Sequence, residues 1–279
     1  MNSDNKKINP GPESIKLVAD VIENGGVVVF PWGKLERKSL AIMCDSKNAI
    51  ACKRVNQIKT RPEDQVLAIN GYPELIPDVG KIEKSLPLKA AAWRLKVDLV
   101  EVISRAMEIG AVSFIFEARD KLPDVVTTKS GDKKTVMIAG EVDNSKDYDF
   151  YTELVKYLHK RKIITAGSSA NRTTSGTYHL FQQEKAFNDL IPDIDLFVYH
   201  SPLPKKPLHA LNLESCTCFN MTINSNVPEV VRFGSVHPSR FKKVFGGYRI
   251  SKEVKYLPGR EKLQHIIVKP SLKLLDRIL

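Results

Sequence analysis

Apolar positions fall into two periodicities along this chain. After Pro12, Ile15, Val18, Ala19 and Ile22 share one helical face. The Gly25-Gly26 pair ends that helix, and the unbroken run Val27 to Phe30 predicts a buried strand behind it. A second helix is predicted with Asp45 or Ser46 as cap and with Ala49, Ile50, Val55 and Ile58 on its buried side, leaving Lys59 and Arg61 at its C-terminal end. Trp93, Val97, Val100, Ile103 and Met107 predict one further core helix, and Phe150, Leu154, Tyr157 and Leu158 another. Between them, Ser113 to Phe116, Thr135 to Ala139, Ile163 to Ala166, Leu196 to Tyr199 and Thr217 to Met221 are short apolar or β-branched runs bounded by turn signals. Strands interleaved with helices assemble as an α/β protein around a mixed sheet. Pro202, Pro204 and Pro207, with Lys205 and Lys206 between them, predict a surface loop, and no internal repeat or low-complexity tract interrupts the pattern.

Composition narrows the class. With 279 residues, 42% of them hydrophobic, the chain can bury a sizeable core without disulfides. Cys44, Cys52, Cys216 and Cys218 are too few and too irregularly spaced for a disulfide framework or a zinc site, which points to a reducing, cytoplasmic setting. The N-terminus shows no apolar export signal, and no apolar run approaches a membrane span. The net charge of +11 is unevenly placed: residues 237–279 carry eleven basic and three acidic side chains, which is +8. Such a segment attracts RNA, nucleotides or an anionic surface, or else packs on the core through Val244, Phe245, Tyr248, Ile250 and Leu257.

The candidate chemistry lies in separated polar clusters. Lys59-Thr60-Arg61 offers two cations, and Ser169-Ala170-Asn171 offers a hydroxyl and an amide at the end of an apolar run. Together with Arg232 they are donors that strand ends could converge on a polyphosphate, although a helix C-terminus favours cations even without a ligand. None of them is an obvious nucleophile or general base, which suits a reaction driven by positioning and charge neutralisation. The six histidines are dispersed, with no i, i+4 pair for a metal, and His179 is the one nearest the Ser175-Gly176 turn. Glu36, Asp45 and Glu141 stand near strand ends, where caps and surface charges are common.

Gly25 to Pro31, Ile58 to Pro62, Gly110 to Ile115, Ser168 to Gly176, Cys216 to Asn220 and Val231 to Gly234 occur in the order and rough spacing of the YrdC-like family's motifs. The chain resembles that family from about Ser14 to Val236. It departs where the family has a P-T-D-T loop, reading Trp32-Gly33-Lys34-Leu35-Glu36-Arg37-Lys38-Ser39 after Pro31. Ala139 stands where a strand arginine is usual, and Cys216 where a serine is usual.

The resemblance implies a twisted mixed β-sheet flanked by helices, in a single YrdC-like domain over 14–236. An N-terminal arm, 1–13, is expected to be flexible, and 237–279 form a basic C-terminal extension. It implies synthesis of a threonylcarbamoyl-adenylate from ATP, bicarbonate and an amino acid, with Mg2+ accompanying the triphosphate, in service of tRNA modification. Lys59 and Arg61 would then hold phosphates and the carboxylated intermediate, Ser169 and Asn171 the phosphates and a metal or ribose. Thr217 and Arg232 would flank the nucleotide with Ser113 nearby, and Lys34 and Ser39 are the candidates for the amine. The alternatives are a diverged carbamoyl-transfer enzyme of a specialised pathway and a non-catalytic RNA- or nucleotide-binding protein.

Overall fold

A computed structural model describes residues 6–32, 39–142, 149–172, 178, 180–199 and 216–255. The N-terminal arm, expected to be flexible, contributes an edge strand, β1 (Lys7–Ile8), and Lys6 Nζ donates to the carbonyls of Ile191 and Ile194. Helix α1 (Pro12–Glu23) buries Ile15, Val18, Ala19 and Ile22 as its spacing requires, and Gly25 at φ +83° turns the chain into β2 (Val28–Trp32). Next comes β3 (Ser39–Asp45), which the reading of hydrophobic runs did not isolate.

Helix α2 (Ala49–Ile58) is capped by Asn48, whose Oδ1 accepts from Ala51 N, two or three residues inside the expected cap at Asp45 or Ser46. Its buried stripe is Ala51, Cys52, Val55 and Ile58, and Ile50 is 81% exposed because it lies on the solvent side of that stripe, one turn before Arg54. Strand β4 (Ala68–Asn70) and the short α3 (Ile76–Val79) follow.

The single helix predicted through Trp93 to Met107 is two: α4 (Leu86–Leu95) and α5 (Leu99–Ile109). Lys96 adopts a left-handed conformation that closes α4, and Asp98 caps α5 through Glu101 N. Trp93, read as core, is 85% exposed, because the break lets α5 alone bury the Val102, Ile103, Ala106 and Met107 face.

Strand β5 (Val112–Glu117), the hairpin of β6 (Thr127–Ser130) and β7 (Lys133–Gly140), α6 (Phe150–Lys160) and β8 (Thr165–Ser169) follow in turn. The described chain then forms α7 (Gln183–Leu190), β9 (Leu196–Val198), β10 (Thr217–Asn220) and β11 (Glu229–Arg232). Part of the basic extension folds onto the domain as α8 (Lys242–Phe245) and β12 (Arg249–Lys255), burying Phe241, Val244 and Phe245. Leu257 lies outside the described residues.

All these strands join one mixed sheet in the order β1-β9-β2-β3-β8-β4-β7-β5-β10-β11-β12, with β6 beside β7. Pro31 is accommodated within β2 because β9 pairs only with Val28 and Val29, so no ladder partner needs the missing N–H on that side. The core is continuous from α1 to α8. Among the described residues no helix is long and apolar enough to cross a membrane.

Candidate functional site

The end of α2 sets the first group. The amide of Thr60 donates to Gln57 O at 2.9 Å and that of Arg61 to Asn56 O at 3.1 Å, a pair of bonds that closes the helix with Thr60 in the left-handed region at φ +53°. Glycine or asparagine is the usual occupant there, and a β-branched residue costs about 1–2 kcal/mol. The turn is held by Asn56, fully buried, whose Nδ2 donates to Glu63 O (2.9 Å) and Gln65 O (2.8 Å) while its Oδ1 accepts from Arg61 Nε (2.6 Å). Asn56 gave no signal in the sequence, since a helical asparagine reads as surface.

Lys59, although at a helix end, is only 4% exposed. Its Nζ donates to Ser169 O (2.5 Å), Asn171 O (2.9 Å), Asn171 Oδ1 (3.0 Å) and Ser169 Oγ (3.3 Å), and Ser169 Oγ donates to Asn171 Oδ1 (2.5 Å). Residues more than a hundred positions apart thus meet because β8 runs beside β3, with Ala41 opposite Ser169, and α2 returns over both. These acceptors are neutral oxygens. Burial, and secondarily the neighbouring Arg61 charge, lower the Lys59 ammonium to about 7. Burial also lowers the Arg61 guanidinium, whose Nη2 is buried without a hydrogen-bond partner among the described residues. Ser39, paired with Trp32 two positions before Ala41, opens the same strand end, and Lys34 lies outside the described residues.

The second group follows from strand register. Ala139, Ser113, Cys218 and Arg232 form a row across β7, β5, β10 and β11. Ser113 and Thr217 are completely buried. Thr217 Oγ1 donates to Val236 O and accepts from Gly234 N (3.2 Å), and Arg232 Nε donates to Cys216 O (3.1 Å). Four strands separate β8 from β11, so the sheet order does not set Arg232 beside Lys59. An aromatic link runs between the two groups instead. Trp32 meets Tyr151 edge-on at 6.2 Å, Phe30 stacks on it at 5.8 Å, and Tyr151 Oη donates to Gly71 O (3.1 Å) and Ala139 O (3.4 Å). Burial raises the Tyr151 phenol, and the same cause raises the Cys216 thiol to about 12, with Glu141 close enough to add to that rise. Glu141, whose position suggested a cap or surface charge, is 4% exposed in this interior.

No family model matches the sequence. Solved structures do match. Sua5 of P. abyssi complexed with L-threonine superimposes with a TM-score of 0.61 at 17% identity, over 88% of this chain and 61% of that one. A second P. abyssi Sua5 structure gives 0.62 at 18% identity with the same coverage, and E. coli YciO gives 0.59 at 16% identity over 84% of this chain and 97% of that one. The chain has the YrdC-like fold. It spans about 61% of the length of the Sua5 chains it matches.

Within the YrdC-like fold, Trp32 and Tyr151 are the residues that sequence reasoning left out of the site. In the sequence Trp32 stands out only as a departure after Pro31, and Tyr151 lies beside the predicted apolar stripe of its helix, not in it. Their meeting depends on α6 packing against α1 and β2. Among the described residues no three His, Cys, Asp or Glu side chains gather as a metal site. The chemistry of the Lys59 and Arg61 pair, two desolvated cations with one buried guanidinium nitrogen that has no partner among the described residues, suits an anion.

Proposed function

We propose that this protein binds ATP through its phosphates at Lys59, Arg61, Ser169 and Asn171 and uses it as a threonylcarbamoyl-adenylate synthase-like enzyme. The observation that carries the reading is the adjacent pair of desolvated cations, which an incoming polyphosphate would neutralise. The fold shared with Sua5, one of whose structures holds L-threonine, supports an amino acid as second substrate.

In the reaction, the amine adds to bicarbonate with loss of water to give a carbamate. A carbamate oxygen then displaces pyrophosphate from the α-phosphorus. Lys59 and Arg61 would hold the phosphates and the carbamate. Asn171 and Ser169 fix the direction of the Lys59 ammonium, and Mg2+ would arrive on the triphosphate oxygens. Arg232 would flank the nucleotide, with the buried Thr217 and Ser113 supporting the strands behind it. Ser39, and Lys34 beyond the described residues, are the candidates to face the amine.

Pyrophosphate release from ATP and bicarbonate, measured across a panel of amino acids, tests the proposal. Release with one of them is expected, and no release with any amine overturns synthesis. A second reading, nucleotide binding without turnover, is favoured by Ala139, which places a methyl where the family has an arginine. Protection by ATP against thermal unfolding without any pyrophosphate release would select it.

A further inference from the structure

The break between α4 and α5 leaves Trp93 almost wholly in water, at the rim of an open cavity of about 520 Å³ lined by Ala92, Trp93, Arg94, Lys96 and Val97. An indole offers the largest apolar surface of any side chain, so leaving it unburied forgoes a large stabilisation. Its surroundings are cationic. Lys89, Trp93 and Lys96 stand at i, i+4 and i+7 along α4 and its cap, and the stretch from Ser85 to Val97 contains no Asp or Glu. Lys96 occupies a left-handed cap at φ +55°, a position glycine fills without strain.

The neighbouring surface extends the charge. Arg94 Nη2 donates to Val244 O and, at 3.4 Å, to Lys243 O, which ties α4 to α8. Arg240, Lys242 and Lys243 are exposed there, and the stretch from Val230 to Lys252 also contains no Asp or Glu. The Arg94 bonds thus bring together two basic segments about 150 residues apart, neither of which contains an acidic residue, with Trp93 next to Arg94 in the chain and Lys242 Nζ 5.7 Å from the Tyr248 ring. Asp98, the exposed cap of α5, is the nearest carboxylate along the chain and sets one negative charge at the edge of this basic stretch.

We propose that this surface docks single-stranded nucleic acid, with an unstacked base on the Trp93 indole and backbone phosphates on Lys89, Lys96, Lys242 and Lys243. A stacking platform set among cations is the arrangement that binds such strands with little sequence preference. A membrane-surface helix would instead present a continuous row of apolar side chains opposite its lysines, whereas α4 exposes Leu86 (38%) and Trp93 (85%) two turns apart, with Lys89 between them and Lys96 after Trp93. Neither α4 nor α8 contributes to the Lys59 cluster, so the proposal is independent of the reading of that site.

The test is fluorescence anisotropy of a labelled single-stranded oligoribonucleotide of about 12 nucleotides with the full chain at several salt concentrations. Trp93→Ala should weaken binding roughly tenfold or more and leave the salt dependence unchanged, while Trp93→Phe retains most of the affinity. The double change of Lys242 and Lys243 to Ala should lower the slope of log affinity against log salt by roughly 1.4. Trp93→Ala should fold normally by circular dichroism and keep any ATP-dependent pyrophosphate release. The proposal is overturned if Trp93→Ala binds as tightly as wild type, or if duplex RNA or polyglutamate competes as well as the single strand. Preferential binding to phosphatidylserine vesicles would overturn it too.

Discussion

Replacing Lys59 with methionine separates the cost of burying its charge from the use of that charge. In the folded protein desolvation, and then Arg61, bring the ammonium to about 7, whereas an unfolded lysine titrates near ~10.4. Between those values the unfolded chain carries a proton that the folded chain has released. Wild-type stability therefore gains a component as pH rises through this window, and the burial penalty is fully present below pH 7. At about 1.4 kcal/mol per pH unit, the whole window amounts to at most roughly 5 kcal/mol, and the part between pH 7 and 9.5 to about 3 kcal/mol.

Methionine lacks this titration. It also takes the Lys59 donor from Asn171 O and leaves Ser169 O and Asn171 Oδ1 to their bonds from Asn171 N and Ser169 Oγ, a pH-independent loss of about 1–3 kcal/mol. Urea unfolding of both proteins at pH 6.5, 8 and 9.5 should show the variant at its best relative to wild type at pH 6.5 and losing ground by up to about 3 kcal/mol at pH 9.5. Pyrophosphate at a hundred times its Kd should add about 2.7 kcal/mol to wild type and far less to the variant. A wild-type-minus-variant difference that stays flat from pH 6.5 to 9.5 would refute the desolvated cation, and with it the reason for placing an anion there.

Asn56→Ala removes the two bonds from Nδ2 and the one to Arg61, so we expect a loss of about 3 kcal/mol in urea unfolding and weaker ATP binding by calorimetry. Thr60→Gly relieves the left-handed strain and should raise the urea midpoint by the equivalent of about 1 kcal/mol; an unchanged or lower midpoint would show that the turn is not strained. Gly234→Ala would set a Cβ 2.1 Å from Thr217 N and 2.2 Å from Cys216 C, both backbone atoms, so a destabilisation of about 3 kcal/mol or outright failure to accumulate folded protein is expected in expression and unfolding assays.

The strands read from apolar runs are all present, with bounds shifted by a few residues, because a sheet buried on both faces leaves a continuous hydrophobic signature. Strand β3 was masked by its own flank, since the basic stretch before Ser39 hid where the apolar run begins. The helix predicted through Trp93 failed for a different reason. Apolar spacing continues across α4 and α5, and only the left-handed Lys96 and the Asp98 cap mark the break.

The chain's own order of residues determined an α/β architecture, the place of Lys59 and Arg61 at a helix end, and a basic C-terminal stretch. Periodicity and composition are local properties, so they are legible one segment at a time. Tertiary structure alone decided that the Lys59 ammonium is desolvated on Ser169 and Asn171, that Glu141 is buried, that Trp32 meets Tyr151, and that Trp93 faces water. Each of these depends on which strand lies beside which and on what covers a side chain, and neither is encoded by the spacing of any one segment.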